Sequence, residues 1–139
     1  MEVTRLEYNK DLNKDIESIN TKLFNRHKPF NLLVTAKWCG HCTHLTHGKQ
    51  SPWNKFKKKM QDKDVHIVEC DYDAMVEIGK DKDMKKSLFN KILQKSVNGF
   101  PAVMYITPIK DNNIDVVMYD GAYPISTETL LTFQSSIHN

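Results

Sequence analysis

A chain of 139 residues with 40% hydrophobic and 27% charged residues, five glycines and five prolines has ordinary globular composition, with room for a core that folds without staples. Collagen-like and disordered chains are excluded, and no apolar run approaches the ~18 residues of a membrane span; Leu32-Leu33-Val34 is typical of the longest. A net charge of +3 is too weak to point to nucleic acid.

Val3 to Leu6 reads as a short strand. Leu12, Ile16, Ile19 and Leu23 then recur at helical spacing behind an Asn9 cap, and Pro29 ends that segment. Phe30 to Ala36 reads as a buried strand that runs directly into Trp38-Cys39-Gly40-His41-Cys42. A helix is expected from about Gly40, broken by Gly48 and Pro52 and resumed towards Met60. Val65 to Cys70 is a nearly continuous apolar strand, as in the middle of a covered sheet.

Residues 74 to 97 read as mostly helical, interrupted around Gly79, with Met84, Leu88, Ile92 and Val97 on one face and an end at Asn98-Gly99. Ala102 to Thr107 and Ile114 to Tyr119 form a hairpin around Lys110-Asp111-Asn112-Asn113. Leu130, Phe133 and Ile137 mark a last helix capped by Ser126 or Thr127. No repeat or linker divides residues 1–139, so the chain reads as one domain. Early strands separated by helices pair in parallel, and the final hairpin adds antiparallel strands. The expected fold is a three-layer α/β sandwich, a mixed sheet of about five strands with helices on both faces.

Three cysteines, an odd number, argue against a disulfide framework. Cys39 and Cys42 form a C-x-x-C where a strand gives way to a helix, a context for redox chemistry or metal binding. Cys70 sits in an apolar strand and reads as a small core residue. The start Met1-Glu2-Val3-Thr4-Arg5 lacks signal-peptide character and the end Ile137-His138-Asn139 is no retention tail, so a cytoplasmic location is expected. The 18 lysines against only Arg5 and Arg26 match the bias of AT-rich genomes, among them large DNA viruses, for which a virion would be the alternative location.

Trp38-Cys39-Gly40-His41-Cys42 is identical to the active-site motif of protein disulfide isomerases, and the chain resembles the thioredoxin fold in that isomerase form. A second motif, Gly99-Phe100-Pro101-Ala102 before a strand, resembles the family's cis-proline loop. A third, Tyr119-Asp120-Gly121 followed by Leu130 and Phe133, resembles its last strand, glycine turn and final helix. The resemblance covers residues 3 to 137. It implies a thiol–disulfide oxidoreductase that exchanges disulfides with protein substrates and is recycled by a redox partner. No organic cofactor is implied, only a redox-active Cys39–Cys42 disulfide.

A thiolate is the nucleophile in such exchange, and a helix start favours the anion through unpaired N–H groups and the dipole. Cys39 is therefore assigned the attack and Cys42, one turn later, the resolution. His41 and Lys37 add positive field, and His41 marks a relatively oxidising site. By the resemblance, Pro101 presents backbone to an extended substrate, and Trp38 and Phe100 flank the groove. From the residues alone, both Trp38 and Trp53 read as packing residues, Trp38 with the groove as its second role.

The chain departs from the pattern in three places. Leu33 stands where relatives carry a buried acid that accepts the proton of the second cysteine, and Glu69 on the neighbouring strand is the candidate substitute. His47 stands where the following helix usually has proline, with a short insertion expected around Gly48 to Ser51. The 71–101 segment is long enough to carry partner contacts. These departures keep a non-catalytic interaction module as the alternative. His41, His44 and His47 beside two thiols raise a third reading, zinc or copper binding, although His44 points away from Cys42 around a helix. The basic run Lys55 to Lys59 with Lys63 reads as a solvated helix end.

Overall fold

Period-two alternation gives each strand two faces, and a computed structural model, which describes residues 1–137, shows both covered along the central strands. In β2 (Phe30–Thr35), Phe30, Leu32 and Val34 enter one apolar cluster and Leu33 the other. In β3 (His66–Asp71), Val68 and Cys70 join the first cluster and Ile67 the second. With β1 (Glu2–Leu6), β4 (Ala102–Pro108) and β5 (Ile114–Met118) the sheet runs in the order β1-β3-β2-β4-β5. The β1–β3 and β2–β3 pairs are parallel, and β2–β4 and β4–β5 are antiparallel, as expected from the connections.

Helices α1 (Leu12–Ile19), α4 (Tyr72–Lys80) and α5 (Leu88–Ser96) cover the first face, where Leu12, Ile16, Ile78 and Phe89 are buried. Helices α2 (Gly40–Thr46), α3 (Pro52–Lys59) and α6 (Thr127–Ile137) cover the second, with Leu45, Trp53, Phe56, Leu130 and Phe133. Each fully buried aromatic or aliphatic side chain contributes roughly 1.5–3 kcal/mol. The result is the expected three-layer sandwich around a mixed five-stranded sheet.

Local chemistry explains where the elements shift. Asn9 does not cap α1: its Oδ1 accepts from the Asp11 N–H at 2.8 Å and its carbonyl from Leu12, forming the turn before the helix. After Ile19 the helix widens into a π turn, Asn20–Phe24, closed by the Asn25 N–H on the Asn20 carbonyl. The interruption expected at Gly79 lies further on, because α4 runs through that glycine. A Cβ there would touch the Gln94 and Asn90 side chains of α5 at 3.4 and 3.8 Å, so the glycine lies where α4 packs on α5. The break falls at 81–87, where the Asp81 carboxylate accepts from the Asp83 and Met84 N–H groups and starts a short 3₁₀ turn, Met84–Lys86. Met84 is thus buried from that turn rather than from the helix carrying Leu88 and Ile92.

The expected break between α2 and α3 is present. Gly48 takes φ +86°, and Asn54 Nδ2 reaches back to the Thr46 and Gly48 carbonyls. Asp111 and Asn112, both at positive φ, turn the β4–β5 hairpin, and Ser126 Oγ accepts from the Thr129 N–H ahead of α6. The C-terminal ends of β2 and β3 and the antiparallel start of β4 meet at one edge of the sheet. That edge holds the cysteines.

Candidate active site

Cys39 ends the loop after β2 in an extended conformation, φ −95° and ψ 114°, and caps α2 with its own sulfur. The Cys42 N–H donates to Cys39 Sγ at 3.1 Å, the bond a serine or aspartate oxygen makes at an ordinary N-cap. The motif is thus a capping device as well as a pair of thiols. Opposite, the Cys39 thiol donates to the Phe100 carbonyl at 3.5 Å. The Phe100–Pro101 peptide is cis, and the strand it leads into, β4, is antiparallel to β2.

Burial separates the two sulfurs. Cys39 is 8% exposed and Cys42 2%, and they share a small apolar cluster with Ala36, against which Tyr72 and Phe100 pack. Burial first, then the hydrogen bond and charge of the neighbouring Cys39, push the Cys42 thiol up to about 12. Both cysteines are free thiols here.

His41 lies on the exposed side of α2, with His44 and His47 on the same helix and its end. Among the described residues no three His, Cys, Asp or Glu side chains come together as a metal site. Lys37 stands 3.9 Å from Asp73, both largely exposed. Trp38, 69% exposed, is no packing residue of the core; it meets Tyr72 and Phe100 edge-on at 5.7 and 5.5 Å, and those two rings meet at 5.6 Å. Three aromatic residues, two from loops and one from the start of α4, therefore brace the dithiol and the Pro101 loop against one another.

Tyr72 has no sequence signal of its own. It is the first residue of α4, placed by the Asp71 side chain, which accepts from the Ala74 N–H at 2.8 Å. A second cis peptide, Tyr123–Pro124, lies in the β5–α6 loop, again without a recognisable motif. That loop, the Pro101 loop and α2 enclose a cavity of about 760 Å³, with His41, His44, Phe100, Pro101, Met118 and Tyr123 on its walls.

Glu69 does not serve Cys42. Its Oε1 accepts from Arg5 at 3.1 Å, and its Oε2 from Trp53 Nε1 at 2.6 Å and Lys57 Nζ at 2.8 Å. Burial raises this carboxyl, but the Lys57 and Trp53 hydrogen bonds and the Lys57 and Arg5 charges outweigh it and hold it below the ordinary value. Lys57, 16% exposed at its side chain, thereby leaves the solvated basic run. Leu33, the register partner of Glu69, is buried at 2% among Leu45, Trp53 and Phe56. Cys70 lies in the core on the opposite face of the sheet, its thiol pushed up by burial.

The family model for thioredoxin matches residues 9–127, nearly the whole of this architecture. The chain belongs to the thioredoxin family. No curated protein matches it by sequence. Among solved structures, the Trx4 domain of ERdj5 superposes with a TM-score of 0.61 at 11% identity, over 100% of this chain and 97% of that one. The first thioredoxin domain of mouse protein disulfide-isomerase A4 gives 0.57 at 15% identity, over 97% of this chain and 74% of that one. The thioredoxin of Fasciola hepatica gives 0.50 at 18% identity, over 100% of each chain. At these identities the likeness is one of fold, and it extends to thioredoxin domains of the isomerase group.

Proposed function

We propose that this protein is a thiol–disulfide oxidoreductase acting on cysteines of protein substrates. The observation that carries the reading is the asymmetric pair. Cys39 Sγ sits at a helix start and already accepts a backbone hydrogen bond at 3.1 Å, while Cys42, one turn behind, is buried and protonated. Negative charge developing on Cys39 meets the Cys42 N–H at the helix start; negative charge on Cys42 is opposed chiefly by burial.

In the reducing direction the Cys39 thiolate attacks one sulfur of a substrate disulfide, and the other sulfur leaves as a thiolate that takes up a proton. Cys42 then loses its proton and attacks Cys39 Sγ. The mixed disulfide breaks, the second substrate thiol departs, and the Cys39–Cys42 disulfide holds the two electrons' worth of oxidation. The oxidising direction is the reverse. No organic cofactor enters, and an external redox partner recycles the pair. His41 raises the potential by favouring the reduced thiolate, and Trp38, Phe100 and Pro101 face the substrate chain.

The test is dithiol-driven reduction of a disulfide-bonded protein. The Cys39→Ser, Cys42→Ser double variant should be inactive, and retained turnover would remove the assignment. One observation favours a second reading as a non-catalytic interaction module: among the described residues no carboxylate serves Cys42, since position 33 is leucine and Glu69 is held by three donors. A partner bound equally well by the double variant, with no turnover in the wild type, would decide for the module.

A further inference from the structure

The end of the sheet away from the dithiol holds another cavity, of about 590 Å³, a size suited to a small ligand. It lies where β2 and β3 begin, at Phe30, Asn31 and His66, and where β4 passes Tyr105, the register partner of Asn31. The dithiol follows the other end of β2, so the whole strand, at about 3.3 Å per residue, separates the two places. Backbone geometry gathers three exposed cations on its walls. Lys22 lies in the π turn Asn20–Phe24, and Arg26 follows four positions on. His27 then takes φ 54°, the left-handed conformation usual for glycine, and the chain reverses. Its N–H donates to the Phe24 carbonyl at 3.2 Å, and the Lys28 N–H donates to the Leu23 carbonyl at 2.8 Å. This reversal carries Lys28 back beside Lys22 and Arg26. Both π turns and strained left-handed residues concentrate at functional sites.

Among the described residues, no carboxylate pairs with Lys22, Arg26 or Lys28. The walls also carry two acids: Glu2 approaches His66 Nδ1 at 3.5 Å, and Asp64 is exposed. The field of the lysines reaches inward. Burial, the largest cause, holds the His66 imidazole below its ordinary value; Glu2 opposes this, and the Lys22 and Lys28 charges add to it.

We propose that this cavity binds a small phosphate ester, with its phosphate on Lys22, Arg26 and Lys28 and its body against Pro29, Val65 and Tyr105. A guanidinium offers a phosphate a two-pronged contact, and the ammonium groups supply point charges beside it. A nucleic acid would follow an open basic groove, whereas these cations ring a closed-ended hollow with an apolar floor. An anion seated on the lysines would offset their field at His66, so binding and the proton affinity of that ring are linked. The proposal stands apart from the oxidoreductase reading, since none of its residues touches either cysteine of the pair.

The experiment titrates the full chain calorimetrically with ADP, pyrophosphate and adenosine at pH 7 and about 0.15 M salt, alongside NMR of the histidine ring protons. Loss of a signal in His66→Gln assigns that ring. ADP should bind with Kd of about 1 mM or tighter, pyrophosphate more weakly, and adenosine not measurably. Lys22→Gln with Arg26→Gln should weaken ADP at least about tenfold. Lys58→Gln with Lys59→Gln, an equal change of charge at exposed positions outside the cavity, should leave it within about twofold. Bound ADP should raise the titration midpoint of His66. No binding at about 5 mM ADP, equal weakening by the two double variants, or an unmoved His66 midpoint would overturn the proposal. A single-stranded oligonucleotide that binds more tightly than ADP, and is weakened alike by both double variants, would overturn it in favour of nucleic acid.

Discussion

The pH dependence of the resolving step follows directly from the burial of Cys42. With its thiol pushed up to about 12, only about one molecule in 10⁵ carries the Cys42 thiolate at pH 7. Relative to an ordinary thiol near 8.5, the thiolate fraction falls by about 10^3.5, while the greater nucleophilicity of the more basic sulfur returns about 10^1.6. The net effect is a resolving step roughly a hundredfold slower than an ordinary thiol in the same place would give. Occupying Cys39 in a mixed disulfide removes its charge but leaves burial, the largest cause, so the elevation persists.

Because a raised thiol value means a protonated sulfur throughout the neutral range, the rate must climb with pH. The expected rise is about tenfold per unit, or about a thousandfold from pH 6 to pH 9. The assay loads Cys39 with thionitrobenzoate and follows release of the coloured thiolate in a single turnover, with Cys42→Ser as the blank. A rate that levels off below pH 9 would refute the reasoning, since it would require a nearby base or a Cys42 far more acidic than its burial allows.

Three further outcomes are expected. His41→Pro should lower the reduction potential of the pair, by up to about 90 mV on the scale separating thioredoxin from isomerase sites; glutathione equilibration reads it, and an unchanged or higher potential removes the tuning role. Tyr72→Ala removes the ring bracing Trp38 and Phe100 and should cost about 1–3 kcal/mol in urea unfolding, with Tyr72→Phe close to wild type; equal losses would place the effect in the hydroxyl instead. Glu69→Gln leaves Lys57 unpaired and should cost about 1–3 kcal/mol at neutral pH, discounted for partial exposure. The Glu69 carboxyl is held low in the folded state, so its contribution is complete above the unfolded carboxyl value and disappears as pH falls through the folded one. A wild-type advantage over Glu69→Gln that grows on acidification would contradict that sign.

The order of elements was legible because each rests on local periodicity: Phe30, Leu32 and Val34 on one face, Leu130, Phe133 and Ile137 on another. The cysteines and Pro101 were legible because their neighbours in sequence form motifs. What escaped has no local code. Gly79 reads as a breaker, yet it lies inside α4 facing Gln94, fifteen positions on in a different helix. Asn9 has a good cap's chemistry, but its side chain closes the turn before α1, and Asp11 at the N-cap position makes no side-chain cap bond. Tyr72 at the start of α4, Met118 at the end of β5 and Tyr123 in the loop after it come near the dithiol only once the sheet is complete.

Glu69 shows why a plausible neighbour can be the wrong partner. It is the register partner of Leu33, directly across from the position where the family's acid would stand, which made it the natural substitute. The same strand also presents it to α3, whose Trp53 and Lys57 offer a buried indole N–H and a cation within 2.8 Å, and to Arg5 on β1. A carboxylate stabilised by three donors is a poor proton acceptor, because taking a proton would sacrifice all three interactions. Leu33 in turn fills apolar space against Leu45, Trp53 and Phe56, so the two positions form one consistent solution: a stabilising ion pair and a dry core in place of an acid behind Cys42. Cys42 must then give its proton to solvent or to the departing substrate thiolate. On the proposed oxidoreductase reading, a site of this kind prolongs the mixed disulfide with its substrate, and the slope of the resolving rate with pH measures that lifetime.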